Sequence, residues 1–289
     1  MSSVAAASER SEARTARRER FRLLLRSPTF LIGTGVLLFW LACALFGSQI
    51  TPYDPIFDQT SDISEGPSTE HWFGTDRLGR DVLSRVIAGS RDILLIAPAA
   101  VLLATILGTT LGLITGYFRG IADDTISRVI DAVLAIPLIV LAVTVVSAVG
   151  SRSAWAVTVV IAIVFAPIIA RTVRAAVLGE AQLDYVEAAR LRGENSLYVM
   201  FSEVLPNVMP PILVEATIRL GYAIFAVATL TFIGFGLQPP SPDWAVQISD
   251  NWQFLAQQWW TVLFPALAIA SLVVAVNLVS DSVQQVLER

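Results

Sequence analysis

The chain has 289 residues, 55% of them apolar and 15% charged, and its 20 basic and 24 acidic side chains leave a formal net charge of −4. With a mean hydropathy of +0.66, that composition excludes an ordinary soluble domain of this length, and no nucleic-acid partner is expected. Cys43 is the single cysteine and His71 the single histidine, which excludes an internal disulfide and leaves no ordinary zinc or haem ligand set, so no metal is assigned.

Uncharged runs recur at 30–50, 93–118, 132–151, 153–170, 220–242 and 251–280. Each is near the roughly 20 residues that a helix needs to cross a bilayer. Six membrane helices in an all-α membrane protein is the direct reading, because the ~10-residue alternating strands of a closed barrel are missing. All twenty basic residues are arginine.

Residues 1–28 form a basic arm with seven arginines between positions 10 and 26, broken by Phe21, Leu23, Leu24 and Leu25. Such a segment is expected to lie in the headgroup plane as an elbow helix, in contact with membrane lipid. The first span covers 29–50. Its length, and the lack of an A-x-A site after it, argue against a cleaved signal peptide. With this end inside, seven further arginines fall in inner segments and five in outer ones. The positive-inside rule then puts both termini in the cytoplasm.

An outer loop, 51–92, opens with Pro52 and Pro55 and carries His71 beside Trp72, then Asp76, Arg80 and Ser84. Val82, Leu83, Val86 and Ile87 form one stripe, which predicts an interfacial helix over 81–89 that feeds the second span. His71 is expected to be solvated or interfacial. A hydrolytic set of His71, Asp76 and Ser84 is not forced together by any spacing. The core, 93–289, follows. Gly108, Gly112 and Gly116 repeat every four residues in span two; they are either a close-packing face or the ordinary glycine content of a membrane helix. Asp131 is expected to snorkel or to pair with Arg128, and Pro137 to kink span three.

The longest polar insert of the second half lies in 175–210. Asp184 is expected to cap a helix with Glu187, Gly193 to end it, and Asn195 or Ser196 to cap a second helix that Pro206 stops. This helix–turn–helix offers Ala188 and Ala189 to a partner as a docking surface. In span five, Glu215 and Arg219 share a face as an ion pair; the pair either lines an aqueous path or sits at an interface. An outer loop, 237–260, carries Pro239, Pro240 and Trp244, and further tryptophans that suit a headgroup belt.

Glu187-Ala188-Ala189, then Gly193, then Leu205-Pro206 resembles the EAA loop of ABC-importer permeases. GTDRLGRDVLSR at 74–85, GLQPPSPDW at 236–244 and WWTVLFPALAIA with Asn277 look like the dipeptide/oligopeptide/nickel permease family, in its second-subunit branch. The resemblance covers about 17–289. It implies a type I importer permease fold of six spans in a bacterial plasma membrane. The implied partners are a homologous second permease subunit, two ABC ATPase subunits and an extracellular substrate-binding protein. The implied cargo is a di- or oligopeptide or a related solute such as a nickel chelate. By the same resemblance Glu187, Ala188, Ala189, Gly193, Leu205 and Pro206 are the ATPase-coupling residues. Glu215 and Arg219 are then candidates for the translocation path, and Asp76, Arg80, Pro239, Pro240 and Trp244 for contact with the binding protein. Glu203, Ala245 and Ser280-Asp281-Ser282 depart from the family pattern. The chain has no GxxxxGK[ST] loop and no lysine, so no cofactor is expected on it; ATP and magnesium belong to the partner subunits. A secondary transporter, or another polytopic protein not driven by ATP, is the alternative; it predicts an internal repeat and mid-span titratable groups, which are not seen.

Overall fold

The computed structural model describes residues 24, 26–151 and 153–287. Most of the expected elbow helix and the last two residues lie outside them. In chain order the helices are α1 (Pro28–Ile50), α2 (Val82–Tyr117), α3 (Ile121–Leu134), α4 (Leu138–Val149), α5 (Ala154–Glu180), α6 (Asp184–Leu191), α7 (Ser196–Phe232), α8 (Trp244–Asn251) and α9 (Trp260–Leu287). Helices α1, α2, α5, α7 and α9 are each long and apolar enough to span a membrane. A sixth crossing exists if α3 and α4 are taken as one span, although they are bent by 100°.

The core is the packing of α2 on α5. A Cβ at Gly108 would stand 2.7 Å from the Ala166 carbonyl, one at Gly112 2.6 Å from Val173 Cβ, and one at Gly116 2.7 Å from Val177 Cβ. Removing three side chains therefore lets the two backbones meet, which settles the open reading of these glycines as a packing face. Most of α5 is buried. By contrast α1 buries only Gly33, Trp40, Cys43 and Gly47, a stripe against α9 and α2, and leaves its other faces apolar and open.

Four expected boundaries are corrected. The helix expected over 81–89 to feed span two has no boundary with it, because 82–89 is the first part of α2. No residue there breaks the helix, and the one awkward charge, Arg85, donates to the carbonyls of Pro55 at 2.8 Å and Ser241 at 3.0 Å. Span three is not merely kinked. Pro137 has no N–H and stands extended at ψ 132°, so the chain turns through nearly a right angle between α3 and α4. The second helix of the insert and span five are one helix, Ser196–Phe232, which ends where Gly234 takes φ +85°. Pro206 does not stop a helix. Val199–Val204 is a π-helical turn in which the Leu205 N–H reaches back five residues to the Met200 carbonyl, and this widened turn carries the helix on through Pro206, Pro210 and Pro211. Helices α5 and α9 also outrun their uncharged stretches. In α5 the added Arg174 donates twice to Asp123, at 2.7 Å each.

Candidate functional site

The polar insert lies between α5 and α7, so whatever moves it moves both. In α6, Val186 and Ala189 are fully buried while Glu187, Ala188 and Leu191 face outward. Ala189 therefore does not belong to a docking surface; its small side chain lets α6 sit close on the bundle. Asp184 does not cap this helix either. Leu183 holds the capping position and Asp184 is the first helical residue, placing its charge, with that of Glu187, at the positive end of the helix. Gly193 behaves as expected. At φ +79° its N–H meets the Arg190 carbonyl at 3.0 Å, and the next N–H, of Glu194, meets that of Ala189 at 3.3 Å. This is the paired arrangement that closes a helix on a left-handed residue. Asn195 caps the next turn, accepting from the Leu197 N–H at 3.1 Å.

A tyrosine that sequence reasoning passed over fixes this insert. Tyr185 Oη donates to Glu180 Oε1 at 2.6 Å and accepts from Asn207 Nδ2 at 3.0 Å, tying the end of α5 and the first half of α7 to α6. Burial, and then the Glu180 carboxylate, push its hydroxyl up to about 12, so it stays a donor at neutral pH. Arg190 lies over the Tyr117 ring at 4.7 Å and donates to its hydroxyl at 3.3 Å, which joins α6 to the end of α2. An open cavity of about 910 Å³ is lined here by Arg119, Gln182, Glu187, Arg190 and Glu194, among others. Leu205 is half-buried and Pro206 exposed at the base of α7.

The other end of α2, about 54 Å away for a helix of 36 residues, carries a cap built from 51–81 and 237–260. His71 is not solvated. It is 1% exposed and its Nδ1 lies 2.9 Å from Asp81 Oδ1, while Asp81 Oδ2 accepts the Ser84 N–H that opens α2. Asp76 holds Arg80 Nε at 2.7 Å and the Arg80 backbone N–H at 3.0 Å. Ser84 Oγ accepts from the Tyr53 N–H. The three residues of the hydrolytic set thus serve three separate contacts. Trp244 is buried against Trp40, with Nε1 donating to the Val86 carbonyl at 2.7 Å. Asp76, Arg80 and Trp244, expected to meet an external protein, are therefore committed inside this chain. Pro239 and Pro240 remain exposed. Trp252 and Trp259 stand outward, as a headgroup belt requires, whereas Trp260 is buried and bonded to the Thr75 carbonyl.

At mid-bundle, Arg219 Nε donates to Glu215 Oε1 at 2.6 Å, and the guanidinium lies 5.2 Å from the Tyr222 ring centre. Both side chains are mostly covered. Asp131 stays largely exposed, and the cation beside it is Arg171 at 3.9 Å, not Arg128.

A family described as the binding-protein-dependent transport system inner membrane component matches residues 108–289, and one described as the N-terminal TM domain of oligopeptide transport permease C matches 15–67. The dipeptide transport system permease protein DppC of Alkalihalophilus pseudofirmus is 38% identical over 271 residues, covering 94% of this chain and 89% of that protein. The di/tripeptide transport system permease protein DppC of Pseudomonas aeruginosa is 40% identical over 264 residues, covering 88% and 86%. The glutathione transport system permease protein GsiD of Pectobacterium atrosepticum is 38% identical over 277 residues, covering 95% and 91%. Among solved structures, a chain of the MetNI methionine ABC transporter in inward-facing form superposes with a TM-score of 0.58 at 21% identity, over 71% of this chain and 97% of that one.

Proposed function

The chain belongs to the family of binding-protein-dependent transport system inner membrane components, as a permease subunit of an ABC importer rather than an enzyme, and from that premise we propose how it works. It passes di- or oligopeptides, or a related small solute, inward across a bacterial plasma membrane. It pairs with a homologous permease, two ATPase subunits dock beneath, and an external binding protein delivers the solute. ATP and magnesium sit on the ATPases. The arginine distribution supports a cytoplasmic side for α6 and both termini.

One observation carries this reading. Helix α6 is clasped to α5 and α7 through Tyr185 and to α2 through Arg190, while Glu187 and Ala188 face away from the bundle. A push on that face is delivered to three spanning helices at once, as rigid-body switching between outward and inward openings requires. Glu187, Ala188 and Gly193 form the contact, with Leu205 and Pro206 at its hinge on α7. The Glu215–Arg219 pair is assigned to the path that the helices open.

Cross-linking tests it directly. Cys43 is the lone native cysteine and is buried, so Glu187→Cys supplies one reactive thiol. In the complete complex it should cross-link to an ATPase subunit. Ala188→Trp should abolish solute-stimulated ATP hydrolysis while the complex still assembles. A thiol at 187 that reacts freely with water-soluble reagents in the assembled complex, or full coupling in Ala188→Trp, contradicts the assignment.

A further inference from the structure

At the cap end, where α1 finishes at Ile50 and the uncharged part of α2 begins at Ile93, a cavity of about 760 Å³ opens between α1, the 51–58 turn and α2. It belongs neither to the coupling loop nor to the Glu215–Arg219 pair. Its rim is apolar where it meets α1: Leu45 is 65% exposed, and Phe57 on the turn 82%. Its charged groups are of both signs. Arg91 projects from α2 and makes no ion pair or hydrogen bond among the described residues. Asp54, Asp58 and Asp92 line the cavity too, and Asp92, next to Arg91 on α2, accepts from Ser241 Oγ at 2.9 Å. Asp54 Oδ1 accepts the N–H groups of Ile56 and Phe57 at 2.8 Å each, and Asp58 Oδ2 accepts that of Asp54 at 2.9 Å. Each carboxylate thus keeps a second oxygen for something else. The Phe57 and Ile56 amides also hold Asp54 below the usual carboxylate range, so it is an anion at neutral pH.

An arginine at the end of an uncharged membrane run belongs in the headgroup layer, where its charge meets phosphate and its stem lies along apolar surface. Leu38, Leu41 and Leu45 are all exposed and follow one another at helical spacing down α1 from the cavity, forming an apolar track. A free phosphate would meet Arg91 but be repelled by the three carboxylates of the lining. A ligand with a phosphate and a cation a few bonds apart answers charges of both signs.

We propose that this cavity holds the headgroup of a phospholipid bearing both a phosphate and a primary ammonium, the phosphate on Arg91 and the ammonium on Asp54 and Asp58, with acyl chains along the Leu38–Leu41–Leu45 track. The primary ammonium matters because it donates hydrogen bonds to the carboxylates, which a quaternary ammonium does not.

The test uses the complete transporter in phosphatidylcholine vesicles doped with a phosphatidylethanolamine that carries a photoreactive acyl chain. Adducts should concentrate on the α1 track. Unlabelled phosphatidylethanolamine should compete, and phosphatidylglycerol or further phosphatidylcholine should compete poorly. Arg91→Gln should lower the labelling about tenfold, the loss of one charge-assisted hydrogen bond. The double variant Asp54→Asn, Asp58→Asn keeps its acceptor oxygens and should erase only the preference for ethanolamine. Adducts spread over every membrane-facing helix, equal competition by the three headgroups, or labelling unchanged in Arg91→Gln would each overturn the proposal. A Phe57→Cys thiol shielded from a water-soluble maleimide in the lipid-depleted complex, but open in the isolated chain, would give the cavity to a protein partner instead and overturn it too.

Discussion

Gly193 stands at φ +79° with nothing within 4 Å of where a Cβ would be, so any substitution there is resisted by the backbone and not by crowding. Gly193→Ala should weaken the end of α6 by about 1–2 kcal/mol, the left-handed cost of an L side chain. Gly193→Pro should do worse, since it also removes the N–H that meets Arg190. Coupled ATP hydrolysis measured beside the yield of folded complex separates the two effects, and coupling should fall before yield does. Asp243 makes a different prediction. It caps α8 by accepting from the Ala245 and Val246 N–H groups, and burial, with Asp92 adding repulsion, raises it from 3.8 to about 6. The folded chain therefore keeps a proton that the unfolded chain releases. Stability should fall as pH rises from about 4 to about 6, by at most about 3 kcal/mol, and change no further above. Asp243→Asn keeps the capping oxygen and should flatten that slope in thermal unfolding between pH 4 and 7.

Helices α2 and α5 show what spacing does and does not reveal. Glycines four apart announce a face, but only the partner makes the face matter. Gly112→Ala would put a methyl 2.6 Å from Val173 Cβ and 2.8 Å from the Ala170 carbonyl, and should destabilise by about 1–3 kcal/mol. Gly35 in α1 has nothing within 4 Å; Gly35→Ala should be neutral or slightly stabilising, since glycine is the poorer helix former. Thermal unfolding of both variants in one detergent checks the contrast, and equal losses would mean that the α2–α5 contact is not as close as described. Proline was the less dependable signal among the elements. Pro137 turns the chain far more than a kink, while Pro206 is absorbed, because the π turn before it widens the ladder and leaves the helix uninterrupted.

At the scale of the whole molecule, α2 is a rod joining a closed cap to a clasped loop. Trp244→Ala removes a buried ring and its bond to Val86, and should cost about 3–5 kcal/mol. It should lower thermal stability while leaving the Glu187→Cys cross-link to the ATPase intact, because the two ends are about 54 Å apart. Loss of that cross-link at normal yield would mean the ends are coupled more tightly than their separation suggests. The sequence by itself determined the membrane class, five of the six expected apolar crossings, the polar insert with its glycine turn and the family resemblance. Each of these follows from composition or from spacing within one helix turn, where neighbours in sequence are neighbours in space. Only the tertiary structure decided that His71, Asp76, Arg80 and Trp244 are internal, that Ala189 faces inward while Ala188 does not, and that Asp131 meets Arg171. Those outcomes depend on partners brought from distant parts of the chain. A charged or aromatic side chain reads the same on paper whether its partner is water, lipid or a carbonyl 158 residues away, as Val86 is from Trp244.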